Sequence, residues 1–340
     1  MTLGSQEKVM SANGGEKKTE TRTLGQLWPV SSLTMGGGGI GQVWGATDRD
    51  ESVATLREAV DSGITLIDVA PSYGLGEAEL VVGQAFDGRL PDGVRVCTKS
   101  HVGDIPVSDV DAVLERSLAE SLERMAITFV DLFVLHSPIV ATKEEGDSWR
   151  TPLALYREAI RPAMGRLVEQ GRIGAWGITA AHPPSVVETV LAEDALPAAA
   201  QMVANVLDAP GDMRWSDEPA RPRDLIALAD KRGVGVMGIR VVQAGALTDS
   251  LDRDLASDHP AQSDFDRAAP FRSLAAELGE SSASLAYRYA LSMYGVDTVV
   301  LGVKNRNELR ESVRAAELGP LPADVLALVD ERMGPLRIIG

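Results

Sequence analysis

Eight short apolar runs, each followed by a polar loop and an amphipathic stretch, most narrow what this chain can fold into. They are SSLTMG (31 to 36), ITLIDVA (64 to 70), VRVCTK (94 to 99), FVDLFVLH (129 to 136), RIGAWGIT (172 to 179), AAQMV (199 to 203), VGVMGIR (234 to 240) and DTVVLG (297 to 302). Near-continuous apolar strands belong to a sheet covered on both faces, and strands alternating with helices run parallel. Eight such units close into a (β/α)8 TIM barrel more naturally than they form an open sheet. The clearest helix is 108 to 125, where Val110, Val113, Leu114, Leu118, Leu122 and Met125 fall at helical spacing. Ser108 is its predicted N-cap, with Asp111 three residues on.

The chain of 340 residues is long enough for two ordinary domains, but barrels of this kind commonly run past ~250 residues as one. No composition shift or Pro/Gly/Ser linker divides residues 30 to 330. One domain over 21 to 340 is therefore expected, after a polar, aperiodic and flexible tail over 1 to 20. TRTLG and VSSLTMG are suited to pair as a short hairpin or to lead into the first strand. The polar stretch TDSLDRDLASDHPAQSDFD (248 to 266) exceeds the usual limit of about 12 residues for idle loops and reads as a substrate loop or lid.

Charge and composition exclude several classes. A formal net charge of −16 repels nucleic-acid backbones. Any anionic ligand must then be held by a few local cations or helix N-termini. No run reaches the ~18 apolar residues of a membrane helix. The first residues lack the apolar stretch of a secretory signal, so a cytoplasmic protein is expected. The single cysteine, Cys97, has no internal disulfide partner and reads as core. His101, His182 and His259 show no metal-ligand spacing, so no metal site is expected.

GGGGIGQ (36 to 42) contains G-x-G-x-x-G directly after a strand. A dinucleotide-binding fold needs its helix to begin inside that motif. Here QVWGATDRD follows and a helix starts only near Asp50, so the run is read as a glycine-rich loop at the barrel mouth.

On the strand reading, Asp68 ends strand two, Tyr73 sits in the loop after it, Lys99 ends strand three and His136 ends strand four. All four face the carboxyl end of the barrel, where such folds keep their chemistry. Singly, each has an ordinary role: a loop tyrosine packs, a strand-end lysine extends its ammonium to water, a histidine is satisfied in a core. Together they form a chain in which Lys99 lowers the proton affinity of the Tyr73 phenol, Asp68 fixes Lys99, and His136 orients a carbonyl oxygen. That machinery protonates an oxyanion as hydride arrives at carbon, with the hydride coming from a bound cofactor.

At these residues the chain resembles the aldo-keto reductase family. GITLIDVAPSYGLGEAELVVGQAF, VCTK and SLERMAITFVDLFVLHSP are similar to that family's blocks, and the likeness runs from about Thr21 to about Leu321. The resemblance implies a barrel capped by an N-terminal β-hairpin, a tetrad of Asp68, Tyr73, Lys99 and His136, and a nicotinamide site at the barrel mouth. It places Gln201 on the carboxamide, Asn205 where a Tyr-Asn pair is frequent, and Thr179 in a serine's position, with Ala180 where an asparagine is frequent. Ile239 replaces the usual stacking aromatic. Arg240 beside it is left to cover the ring or meet the pyrophosphate. LGVKNRNELRESVRAA (301 to 316) resembles the loop and helix for the adenosine 2′-phosphate, which assigns Gly302, Lys304, Arg306 and Glu311 to the cofactor and favours NADP(H) over NAD(H). Ser312 stands where an adenine-contacting asparagine is common. Trp44, Trp149 and Trp215, in the loops after strands one, four and six, are expected to line the substrate pocket.

The expected function is an NADP-dependent oxidoreductase, an alcohol dehydrogenase in the opposite direction, that reduces a small-molecule aldehyde or ketone with Tyr73 as general acid/base. Two alternatives within the resemblance are a sugar (aldose) 1-dehydrogenase acting oxidatively and a nucleotide-binding regulatory subunit with slow turnover. A metal-dependent barrel hydrolase lacks the paired histidines it would need. Substrate identity and oligomeric state correspond to no motif.

Overall fold

The computed structural model describes residues 19–143, 145–251 and 259–334. All eight apolar runs form strands: β1 (Leu33–Gly36), β2 (Leu66–Asp68), β3 (Arg95–Ser100), β4 (Val130–Leu135), β5 (Ile173–Thr179), β6 (Ala199–Val203), β7 (Gly235–Ile239) and β8 (Thr298–Val300). They pair in parallel in sequence order, and β8 returns to β1 to close the barrel. Several strands are shorter than their apolar runs. Ile64, Val69 and Ala70 flank β2 and are fully buried although they lie outside the strand.

Two-residue alternation explains why the runs read as continuously apolar. Leu66, Cys97, Leu132, Val134, Ala175, Ala199 and Met237 form one cluster inside the barrel. Their neighbours Ile67, Val96, Phe133, Ile178, Ala200 and Val236 pack outward under the helices. Each buried Leu, Ile or Val contributes roughly 1.5–3 kcal/mol of transfer free energy. The outer layer is α1 (Arg49–Asp61), α2 (Glu77–Phe86), α3 (Val110–Met125), α4 (Arg161–Glu169), α5 (Pro184–Ala192), α6 (Pro222–Lys231), α7 (Ser282–Ser292) and α8 (Arg306–Leu318), with further helices at Pro260–Arg267, Ala269–Leu278 and Ala323–Met333.

The hairpin forms: Thr21–Thr23 pairs antiparallel with Pro29–Ser31, and Leu24 plugs the barrel floor at 0% exposure. The tail expected over 1 to 20 falls mostly outside the described residues, but its last two residues are anchored. Thr19 is buried and its hydroxyl donates to the Gly63 carbonyl at 3.1 Å, while the Glu20 carbonyl accepts from Ser32 N at 2.7 Å.

Two local expectations are corrected. Ser108 does not cap α3, because a 3-10 turn over Val107–Asp109 delays the helix to Val110; the Ser108 hydroxyl donates to Asp109 instead, and Asp111 pairs with Arg166. The glycine-rich run is one helical turn over Gly37–Ile40 rather than a loop. Its glycines are required by close approach: a Cβ on Gly36 or Gly39 would run into the Leu301 or Val303 carbonyl oxygen of the β8 loop. Residues 252–258 of the expected lid lie outside the described residues, and its last part is helical, starting at Pro260 with His259 Nδ1 accepting from Ala261 N at 3.1 Å.

Candidate active site

The same alternation that builds the barrel interior carries polar residues to its carboxyl rim. Two positions beyond Leu66, Cys97, Val134, Gly177, Ala199 and Met237 stand Asp68, Lys99, His136, Thr179, Gln201 and Ile239. Lys99 Nζ lies 2.9 Å from Asp68 Oδ1 and donates to the Val69 carbonyl at 2.8 Å. Gln201 Nε2 donates to Asp68 Oδ1 at 2.8 Å, tying β6 to β2 across the barrel. Tyr73 is aimed back over this floor by the turn at Gly74 and Gly76, both at positive φ, which launches α2. Its ring centroid is 4.6 Å from Lys99 Nζ and 5.7 Å from the His136 ring, the two rings standing at 89°. His136 Nδ1 faces the Ser72 hydroxyl at 3.4 Å.

Burial opposes the Lys99 ammonium, but the Asp68 carboxylate and the Tyr73 phenol hold its pKa above the usual lysine value. Burial pushes the Tyr73 phenol up; Lys99 pulls it down, and the net position is above 10.0. The expected lowering by Lys99 is therefore present but outweighed by desolvation. The consequence is a phenol that keeps its proton at neutral pH. Burial, with Lys99 and His101 nearby, lowers His136 to about 3, so its imidazole is neutral.

These groups open into a cavity of about 680 Å³. Thr179, Gln201, Ile239, Arg240, Gly302, Lys304, Glu311 and Ser312 all line it. The Thr179 hydroxyl oxygen is buried with no hydrogen-bond partner among the described residues, beside Gln201 in the strand register. An orphaned hydroxyl next to a primary amide suits a ligand carboxamide, so the rim fits the nicotinamide end of a dinucleotide. Arg240 leaves the strand with φ of 59°, its guanidinium pairing with Asp212 and donating to Gln243 Oε1 at 2.9 Å. It forms part of the wall between the β6 and β7 loops. Asn205 does not line the cavity; its amide bonds Ala209 O and Arg240 O and accepts from Leu207 N and Ala209 N, stapling the β6 loop.

The two cations expected to meet the adenosine phosphate are engaged internally. Lys304 Nζ is 2.8 Å from Glu308 Oε1. Arg306 does not line the cavity; both its guanidinium and its backbone N–H bond Glu51, at 2.9 Å each. Glutamates on α1 and α8, invisible in the local motif, account for this pairing: Glu51 takes Arg306 and Glu308 takes Lys304.

Trp44, Trp149 and Trp215 all line the cavity, in two places. Trp44 packs beside Gly38 and Gly302, on the β1/β8 side of the cavity. Trp149 and Trp215 form a pair with centroids 5.0 Å apart, and His101 stacks on Trp149 at 5.0 Å. The peptide of Trp215 is held from both sides: its N–H donates to His182 Nδ1 at 3.1 Å and its carbonyl accepts from Arg150 at 3.2 Å. His182 Nε2 bonds the Glu218 carbonyl at 3.1 Å, which fixes the neutral tautomer. Sequence reasoning weighed His101 and His182 only as metal ligands, and Met213 and Asp212 of the lining carried no signal of their own. No group of three or more His, Cys, Asp or Glu side chains that could hold a metal ion occurs among the described residues. No helix among them is long and apolar enough to cross a membrane.

Comparison with known proteins bears on the fold and the family. The chain is 25% identical to L-galactose dehydrogenase of Arabidopsis thaliana over 331 residues, 94% of this chain and 96% of that protein. It superposes on aldo-keto reductase AKR11C1 from Bacillus halodurans, in its holo form, with a TM-score of 0.71 and 22% identity, covering 92% and 96% of the two chains. An aldo/keto reductase from Klebsiella pneumoniae in complex with NADP and acetate superposes with a TM-score of 0.65 and 24% identity over 92% and 95%. The model of the Aldo/keto reductase family matches residues 32–333, and the chain belongs to that family.

Proposed function

We propose that this chain is an NADP(H)-dependent oxidoreductase that reversibly reduces an aldehyde or ketone to the alcohol. The observation that carries the reading is the buried Asp68–Lys99 pair lying beneath the Tyr73 ring, with a neutral His136 at its edge. A bound nicotinamide coenzyme would supply or take the hydride. Tyr73 donates its phenolic proton to the carbonyl oxygen, and the Lys99 ammonium stabilises the phenolate left behind. Asp68 and the Val69 carbonyl keep that ammonium in place. His136, uncharged, offers a ring N–H to the same oxygen and so orients the carbonyl. Thr179 and Gln201 would hold the carboxamide, and Lys304 would meet the phosphate of the adenosine end.

Tyr73→Phe is the test. Coenzyme Kd should stay within about twofold, while kcat falls by about 10³-fold, the scale of a lost general acid. Undiminished turnover would sink the assignment.

A second reading is oxidation of an aldose at its anomeric carbon. It is favoured by the match to L-galactose dehydrogenase across nearly the whole chain and by the Trp149–Trp215 pair, whose faces suit the C–H surface of a sugar ring. Rates in both directions across a panel of aldoses and simple carbonyls separate the two. A regulatory subunit with slow turnover would bind coenzyme and turn over none of them.

A further inference from the structure

Among the described residues, Lys304, Glu308 and Glu311 line the cavity together at the β8 side. Glu308 holds Lys304 twice. Its Oε1 lies 2.8 Å from the Lys304 ammonium, and its Oε2 accepts from the Lys304 backbone N–H at 3.0 Å. The same carboxylate belongs to the cap of α8: Asn305 Nδ2 donates to Glu308 Oε1 at 3.2 Å, and Asn305 Oδ1 accepts from Glu308 N at 3.0 Å. Arg306 N, at the first position of α8, is taken by Glu51. Side-chain carboxylates thus take the backbone N–H groups of Lys304 and Arg306 at the start of α8. Glu311 adds a further acid to the lining, accepting from the Ser281 hydroxyl.

We infer that Glu308 sets how this chain discriminates between coenzymes with and without a phosphate on the adenosine 2′ oxygen, by occupying the cation and amide that the phosphate would need. The inference rests on the coenzyme reading proposed above and goes beyond it. A 2′-phosphate, carrying close to two negative charges, must displace the Glu308 carboxylate from Lys304 and then lie beside it. A free 2′-hydroxyl meets no such opposition and can donate to a carboxylate oxygen. Affinity for the phosphorylated coenzyme is therefore held down, and the margin by which NADP(H) is preferred over NAD(H) is narrowed.

Glu308→Gln separates charge from structure, because the glutamine oxygen can still accept the Lys304 backbone N–H while the charge is removed. Binding is read from quenching of tryptophan fluorescence, Trp44 standing beside Gly302 at that end of the cavity. In the wild type the Kd values for NADPH and NADH should lie within about tenfold of each other. In Glu308→Gln the Kd for NADPH should fall about tenfold at low salt and that for NADH change less than about twofold, with the gain shrinking as salt rises. An unchanged melting temperature confirms that the cap survives. Unaltered NADPH affinity in the folded variant would overturn the inference, as would a wild type that already prefers NADPH by about 10³-fold. A wild type that binds neither coenzyme overturns the coenzyme reading itself, and this inference with it.

Discussion

Asp68 Oδ1 lies 2.9 Å from Lys99 Nζ at the floor of the cavity, with both side chains closed to solvent. Breaking such a pair strands one charge where water cannot reach it. Asp68→Asn is expected to lower unfolding free energy by about 3–5 kcal/mol in urea titrations, in addition to lowering kcat. Lys99→Met combined with Asp68→Leu should cost less than either change alone, because no orphan charge remains.

The pH dependence of turnover follows from the Tyr73 phenol, which burial holds above 10.0. Reduction needs the protonated phenol, so kcat/KM for carbonyl reduction should be flat from about pH 6 to 9 and decline only in strong alkali. Oxidation needs the deprotonated form, so its rate should climb across the same range. Initial rates in both directions provide the check, and a reductive rate that falls between pH 7 and about 8 would contradict the assignment.

Acid stability follows from His136, whose pKa is lowered to about 3 from 6.5. Between those values the unfolded chain binds a proton at this site that the folded chain refuses. Stability therefore drops as pH falls from 6.5 towards 3. The urea midpoint of the wild type should decline more steeply over that window than that of His136→Asn.

Trp215 depends on two residues that do not touch the cavity chemistry, His182 and Arg150. His182→Ala or Arg150→Ala should loosen the indole pair, weakening its exciton signal in circular dichroism and raising KM for ring-bearing substrates about tenfold, with kcat changed far less. His182→Asn, whose side-chain oxygen can accept the Trp215 N–H, should restore both. Intact KM in the alanine variants would mean that the wall does not bear on substrate.

The carboxylate behind the site is also open to test. Glu79 on α2 is fully buried, accepts from Thr98 on β3 at 2.5 Å and pairs with Arg124 of α3 at 2.6 Å. Arg124→Met leaves that carboxylate with one partner and should destabilise the fold by about 3 kcal/mol in thermal or urea unfolding.

The barrel was legible because its signal is repeated: eight apolar runs at regular spacing outweigh errors at any one boundary. The four residues at its rim were legible because two-residue alternation carries Asp68, Lys99 and His136 to the same side, and a glycine turn returns Tyr73. What escaped depends on partners far along the chain. Arg306 read as a phosphate ligand until Glu51, 255 positions away, took its guanidinium. The phenol's net shift depended on how much water the folded wall excludes, which no motif encodes. Ser108 failed as a cap because a single 3-10 turn moved the helix start by two residues.

The Trp215 peptide is fastened by Arg150 from the β4 loop and by His182 from the β5 loop, while it belongs to the β6 loop itself. Three connections that the barrel would otherwise allow to vary separately are thereby mechanically one part. Transplanting any single one of them from a relative would unseat the other two, so redesign of this pocket has to exchange the trio together.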